Sequence, residues 1–297
     1  MRIEIDHPVM PGLRMECADG GRLVLLQGNR PVLFARQRAS YHGVHYARTG
    51  TYVSPLAPLR AATARAFADF APPGSEAWTD RWTAHAEAEL REAAEGPLHE
   101  GDWHLGPMTP GWFVDSHWAR LLPHDTDRGH LTWFGYGDPA EDARDLLPLR
   151  ALSAPDAPRV KAYRRQYREG LLPPVLLWWI SGLNCPVVLD GHDRLVAALA
   201  EGGRPSELLL SRAVDAAYVA MCSERPLREY EERMATLEPG PFAQVKAGAA
   251  SRHLAAALRA VERAAEITRA WPLAGGVAAW ERSAAAHVPG WRPPPLP

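Results

Sequence analysis

Residues Val160–Arg212 read VKAYRRQYREGLLPPVLLWWISGLNCPVVLDGHDRLVAALAEGGRPSELLLSR, and the order of elements in this stretch decides the fold class. Val175–Ile180 is an apolar, aromatic run of strand length, opened by Pro173-Pro174. Ser181-Gly182-Leu183-Asn184 turns the chain, Val187-Val188-Leu189 starts a second strand, and Asp190-Gly191 ends it. From Asp193 to Ala200 the spacing is helical, with Leu195, Ala198 and Leu199 on one face, and Gly202-Gly203 stops the helix. The stretch therefore predicts a strand that passes through Asp-Gly-His-Asp-Arg straight into a helix N-terminus.

Such a junction has two physical uses. The first turn of a helix presents unpaired N–H groups and a partial positive charge, which hold anions and phosphate above all. Gly191 lets the backbone approach a ligand, and His192 and Arg194 add cationic donors where a bare helix start favours acids. Alternatively Asp190 is the N-cap and Asp193 its partner in a capping pair, with Arg194 out in solvent. Spacing alone leaves both open.

The segment Leu149–Arg212 resembles the ParB/sulfiredoxin-like domain. The resemblance rests on Leu189-Asp190-Gly191-His192-Asp193-Arg194-Leu195-Val196-Ala197-Ala198, a Gly-led basic loop between a strand and a helix. A first strand (146–152), a Tyr/Arg-rich helix (160–169) and Gly170-Leu171-Leu172-Pro173-Pro174 precede it. The "DGH-R" form is most similar to the branch of nucleotide-dependent kinases of free serine. That resemblance implies a nucleotide tri- or diphosphate with Mg²⁺ as cofactor. Its phosphates would lie on Gly191, His192, Asp193 and Arg194. Beside that site the helix carries the one basic cluster, Arg159, Lys161, Arg164, Arg165 and Arg168, whose expected job is solvation or, as for Arg165, a share in the ligand. Asp190 would act on the acceptor hydroxyl or hold Mg²⁺. The branch also uses a glutamate after the first strand; here Asp156 stands in that region, in Ser153-Ala154-Pro155-Asp156-Ala157-Pro158. The sulfiredoxin branch places a reactive cysteine after the loop glycine, and His192 occupies that position.

Composition bounds the partners. The 297 residues carry 33 basic and 35 acidic side chains, so no basic surplus announces duplex DNA or an anionic membrane. No apolar run reaches membrane-spanning length and no signal peptide opens the chain, so a cytoplasmic location is expected. Cys17, Cys185 and Cys222 are too few and too scattered for a disulfide framework or a zinc site.

Along the chain, residues 1–38 alternate as short strands with turns at Asp19-Gly20-Gly21 and Gly28-Asn29-Arg30-Pro31, which predicts a meander. His42-x-x-His45 has metal-ligand spacing, but Gly43 and its aromatic neighbours favour strand or loop. Helices are expected at 58–70 and 76–95; Trp78, Trp82, Ala86 and Leu90 share one face of the second, the pattern of a core stripe. Residues 101–136 mix Trp, Phe and Tyr with His104, Asp115, His117, His124, Asp125, Asp127 and His130. Such a mixture either seals one domain on another or lines a pocket. Helices are again expected at 216–237, broken at Pro226, and at 242–271, where Leu254, Leu258, Val261 and Ala265 form a stripe for the core or a homo-oligomer.

The expected architecture is α+β. A small mixed-sheet ParB/sulfiredoxin-like domain (141–215) follows a Trp-rich N-terminal β/α region (1–140). A helical C-terminal region (216–288) and a Pro-rich tail (289–297) complete it. The expected activity is nucleotide binding with phosphoryl transfer to a small hydroxy compound. The alternative is a non-catalytic ParB-like scaffold acting through protein–protein contacts.

Overall fold

The computed structural model describes residues 1–6, 10–37, 43–107, 125–131, 146–213, 216–237, 239–265 and 267–293. These divide into two compact units, Met1–Ser211 with Thr268–Pro297, and Arg212–Ile267. Among the described residues twelve strands form two mixed six-stranded sheets, joined by seven helices, so the α+β class holds.

The first sheet has the order β1 (Arg2–Ile5), β6 (Gly101–Pro107), β11 (Glu207–Arg212), β9 (Val175–Ile180), β10 (Cys185–Asp190), β8 (Leu147–Pro148). β9 and β10 form an antiparallel hairpin through Ser181–Asn184, with Asn184 in the left-handed region at φ 51°, which a short polar side chain tolerates. β11 lies parallel to β9 and β8 parallel to β10. Both faces of this hairpin are buried, which explains why VLLWWI is continuously apolar. Leu176, Trp178, Ile180, Cys185, Val187 and Leu189 join the main core. Val175, Leu177 and Val188 face the other way, with Leu195 of helix α4 (His192–Ala200) and Leu146.

The second sheet contains the expected meander as β2 (Leu13–Ala18), β3 (Arg22–Gln27) and β4 (Arg30–Gln37), continued by β5 (Val44–Arg48) and β7 (Arg128–Leu131) and extended by β12 (Ala270–Pro272) pairing parallel to β2. Arg2–Ile5 leaves the meander and pairs with β6 in the first sheet. α1 (Ala61–Phe70) and α2 (Glu76–Glu92) complete the main core, where the Trp78–Trp82–Leu90 stripe is buried as expected. Helix α7 (Gly276–His287) covers the meander's other face, Trp280 donating to the Leu23 carbonyl at 2.9 Å.

Several boundaries differ from expectation. The strand expected over 146–152 shrinks to two residues. Pro148 has no N–H to give a ladder, and beyond it the Arg150 carbonyl and Leu152 N–H bond to Arg48 and Asp125 instead. The expected boundary at 140–141 lies outside the described residues, but the first sheet runs across it, taking β1 and β6 from the N-terminal side. The expected helical region 216–288 divides at 267: its last part, with β12 and α7, belongs to the first unit. Helix α5 (Ala216–Ala235) runs through Pro226. Proline removes one hydrogen bond, yet its fixed φ is itself helical, and twenty residues carry the loss. The tail is packed at Trp291, whose ring lies 5.9 Å from that of Trp280.

Candidate functional site

The β10–α4 junction forms as the sequence predicts, and α3 (Pro158–Arg168) packs beside α4. Its wiring is different. The N-cap is Gly191, in the left-handed region at φ 93°, and no side chain caps the helix. The capping pair is therefore not made, because both aspartates are drawn to arginines.

Asp190 Oδ2 accepts from Arg194 Nη2 at 2.8 Å, and Oδ1 accepts from the Ser54 hydroxyl at 2.7 Å. Arg194 also donates to the Pro174 carbonyl at 3.1 Å, and its side chain is only 4% exposed. Burial alone would raise the Asp190 carboxyl, but the Arg194 guanidinium and the Ser54 hydroxyl hold it below the usual carboxylate range. The guanidinium folds over Gly191 so closely that a Cβ there would meet Arg194 Nη2 at 2.8 Å and Cζ at 3.0 Å. Glycine at 191 is thus required by its own loop, through both φ and space, rather than by the approach of a ligand.

The other aspartate opens outward. Asp193 Oδ1 accepts from Ser153 Oγ at 2.7 Å and from Arg150 Nη2 at 3.1 Å, while Arg159 Nε lies 3.5 Å from Oδ2. The Asp193 side chain is 9% exposed, but Arg150 and Arg159 are 36% and 58% exposed, so the cations reach solvent where the carboxylate does not. The segment carrying Arg150 and Ser153 is fixed from behind. Arg48, buried, pairs with Asp125 at 2.8 Å and donates to the Arg150 carbonyl at 2.9 Å, and Asp125 Oδ2 accepts the Leu152 N–H at 2.8 Å.

His192 sits between the two aspartates in sequence and is buried, its ring 5.8 Å from that of Tyr52. Nε2 has no hydrogen-bond partner among the described residues. Burial first, then the Arg150 charge, pushes its pKa down to about 3, so the imidazole is neutral at pH 7. Tyr52 donates its hydroxyl to the Leu189 carbonyl, and burial followed by the Asp190 charge raises its pKa well above the ordinary value.

Two expected site residues stand apart. Arg165 is exposed and pairs with Glu169 on its own helix at 2.7 Å. Asp156 is exposed in the turn ahead of α3 and makes no hydrogen bond or ion pair to the loop among the described residues. From the expected carboxylate segment the structure brings Ser153 to the loop, three residues earlier; from the basic helix it brings Arg159, on the first turn. Arg150, Arg48 and Ser54 carry no motif, since each comes from outside the recognisable loop. Of the aromatic stretch, Asp125 is a structural clamp; Trp112, Phe113, Asp115, His117, Trp118, His124, Trp133, Phe134 and Tyr136 lie outside the described residues, as does His42.

On the Asp190–Arg194 side a cleft of about 30 Å³ is walled by these two side chains together with Trp82, His85, Glu89 and Leu176. By volume it has room for about two waters. Among the described residues no group of three or more His, Cys, Asp or Glu could hold a metal ion, and no helix is long and apolar enough to cross a membrane. No protein family, no curated protein and no solved structure matches this chain.

Proposed function

We propose that the protein binds the phosphates of a nucleoside di- or triphosphate at the β10–α4 junction. Arg150 and Arg159 are the cationic ligands, and Ser153 Oγ and the first-turn N–H groups of α4 are neutral donors. The observation that carries this reading is the pair of solvent-reaching guanidiniums that meet over Asp193, at a helix start no side chain caps. An uncapped first turn and two arginines together favour an anion. Asp193 holds the guanidiniums in register until a phosphate, with more charge and more acceptor oxygens, draws them to itself. The resemblance of 149–212 to the ParB/sulfiredoxin-like domain supports the same location while moving the cations from Arg194 and Arg165 to Arg150 and Arg159. The Mg²⁺ that the resemblance implies finds no free carboxylate on the loop, because Asp190 and Asp193 are both held by arginines; the reading takes no step through it.

Phosphoryl transfer to a small hydroxy compound is a second reading, and one contact favours it. Asp190 Oδ1 already accepts a hydroxyl, that of Ser54, at 2.7 Å. An acceptor that displaced Ser54 would place its own hydroxyl on the same oxygen.

Thermal unfolding against ATP, ADP, CTP, GTP and inorganic phosphate tests the proposal. A ligand at 100 times its Kd stabilises by about 2.7 kcal/mol, and the gain should vanish in Arg150→Ala and Arg159→Ala. No shift with any nucleotide in the wild type would overturn nucleotide binding and leave the junction as scaffold.

A further inference from the structure

Residues 212–267 form a hairpin of α5 against α6 (Ala243–Ala265), turning through Pro239, Gly240 and Pro241. Among its described residues only Ser223 and Ala250 are buried, and none belongs to a hydrophobic core cluster. Met221, Leu227, Phe242, Val245 and Ile267 are instead exposed, five of the nine exposed large hydrophobics among the described residues. More than half of these exposed large hydrophobics thus lie in about a fifth of the described residues. The seam between the helices is only half closed: Val219, Tyr230, Met234, Leu254 and Leu258 are all half-buried. Two helices side by side cover each other along one stripe each, and a pair this short cannot bury a core alone.

The exposed groups are also self-complementary. At the turn end of the hairpin an open cleft of about 660 Å³ is lined by Met234, Leu237 and Ala250 and equally by the polar Arg233, Thr236, Lys246 and His253. Phe242 and Val245, 68% and 65% exposed, stand at the start of α6 at the same end. A projecting ring beside a recess with mixed apolar and polar lining gives each copy both halves of a two-fold contact. Charge agrees. α5 carries Glu224, Glu229, Glu231 and Glu232 against Arg225, Arg228 and Arg233, while the charged side chains described on α6 are Lys246 and Arg252, with no acid among them. Stacking α5 of one copy on α6 of the other sets a helix with one surplus carboxylate on a basic one.

We propose that the hairpin docks on a second copy of this chain as a four-helix bundle, Phe242 of each copy entering the cleft of the other. Helices of this length are about 30 Å long and pack about 10 Å apart. One hairpin face therefore offers on the order of 600 Å², and two reach the lower range of stable interfaces.

Sedimentation velocity on the full chain over a hundredfold or so of concentration tests this. The expected result is a dimer, converted to monomer by Phe242→Asp with Val245→Asp, with helical circular dichroism unchanged. If the aspartates unfold the hairpin, Phe242→Ser with Val245→Ser is used. Amide exchange of the wild type provides a check without mutation, because protection over 219–254 should rise with concentration. A wild type that stays monomeric, with hairpin protection independent of concentration, overturns the proposal. So does a dimer that survives both pairs of substitutions, because it must then use another surface.

Discussion

Two carboxylates on one loop, three residues apart, meet opposite environments. Asp190 is closed in: its arginine is 4% exposed, its second oxygen holds Ser54, and the glycine between the aspartates is shaped by that arginine. Asp193 is the more buried of the two, 9% against 16% exposed, yet its arginines extend into solvent. A buried ion pair with every oxygen engaged is a structural device, costly to break; a buried carboxylate with half-exposed cations is one whose partners can be taken by something else. The loop is therefore wired on one side and available on the other, and the sides should respond differently to substitution.

Breaking the wired side has the largest expected effect. Arg194→Ala strands Asp190 below the surface, and removing one partner of a buried pair costs about 3–5 kcal/mol, read as a lowered urea midpoint. Asp190→Leu combined with Arg194→Met should recover most of that loss, since buried pairs exchange well for apolar residues of similar volume. If Arg194→Ala instead unfolds like wild type, the two sides of the loop do not differ.

On the open side, Arg150→Ala and Arg159→Ala should each weaken phosphate binding by about 1.5–3 kcal/mol, the range of a charged hydrogen bond. Stability should change less, because solvent replaces what the exposed cation lost. Calorimetric titration with the nucleotide that gives the largest thermal shift separates the two effects. Equal losses of binding in Arg194→Ala, with its fold intact, would return the ligand to the wired side.

His192 sharpens the comparison through pH. Its folded pKa of about 3 lies below the ordinary value of 6.5, so the unfolded chain takes up a proton that the folded chain refuses. The contribution is fully present above pH 6.5 and is lost as pH falls towards 3, by up to about 1.4 kcal/mol per unit. The groups that face it are Arg150, Asp190, Arg48, Arg194 and Tyr52. Acid unfolding should therefore flatten in His192→Gln relative to wild type; an unchanged acid limb would mean that another group sets it.

What the sequence made legible was local. The β9–β10–α4 order, the Ser181–Asn184 turn, the meander and the Trp78–Trp82–Leu90 face all follow from spacing of a few residues. The sheet partners were not legible, because β1 and β6 join β11 only through long-range pairing that no periodicity encodes. The same limit governed the site. The loop's five residues could be read as a unit, but whether Arg194 faces a ligand or its own Asp190 depends on Ser54 and Pro174, far away in the chain. Arg150 was invisible for a similar reason: its position is fixed by Arg48 and Asp125, which no motif joins.

The smallest effect expected is at Arg165 and Asp156, the two site residues that the loop does not hold. Arg165 pairs with Glu169 one helical turn away and is 72% exposed. Its guanidinium is raised above its usual pKa by the hydrogen bond to that carboxylate and by its charge, but water screens the pair almost completely. Isolated exposed pairs of this kind often contribute nothing measurable. Arg165→Ala and Asp156→Ala should therefore melt with wild type and bind the same nucleotide with the same affinity. Loss of binding in Arg165→Ala alone would mean that α3 presents its solvent face to the ligand. The phosphate would then lie along that helix rather than over Asp193, and Arg159, on the first turn of the same helix, would be the residue common to both placements.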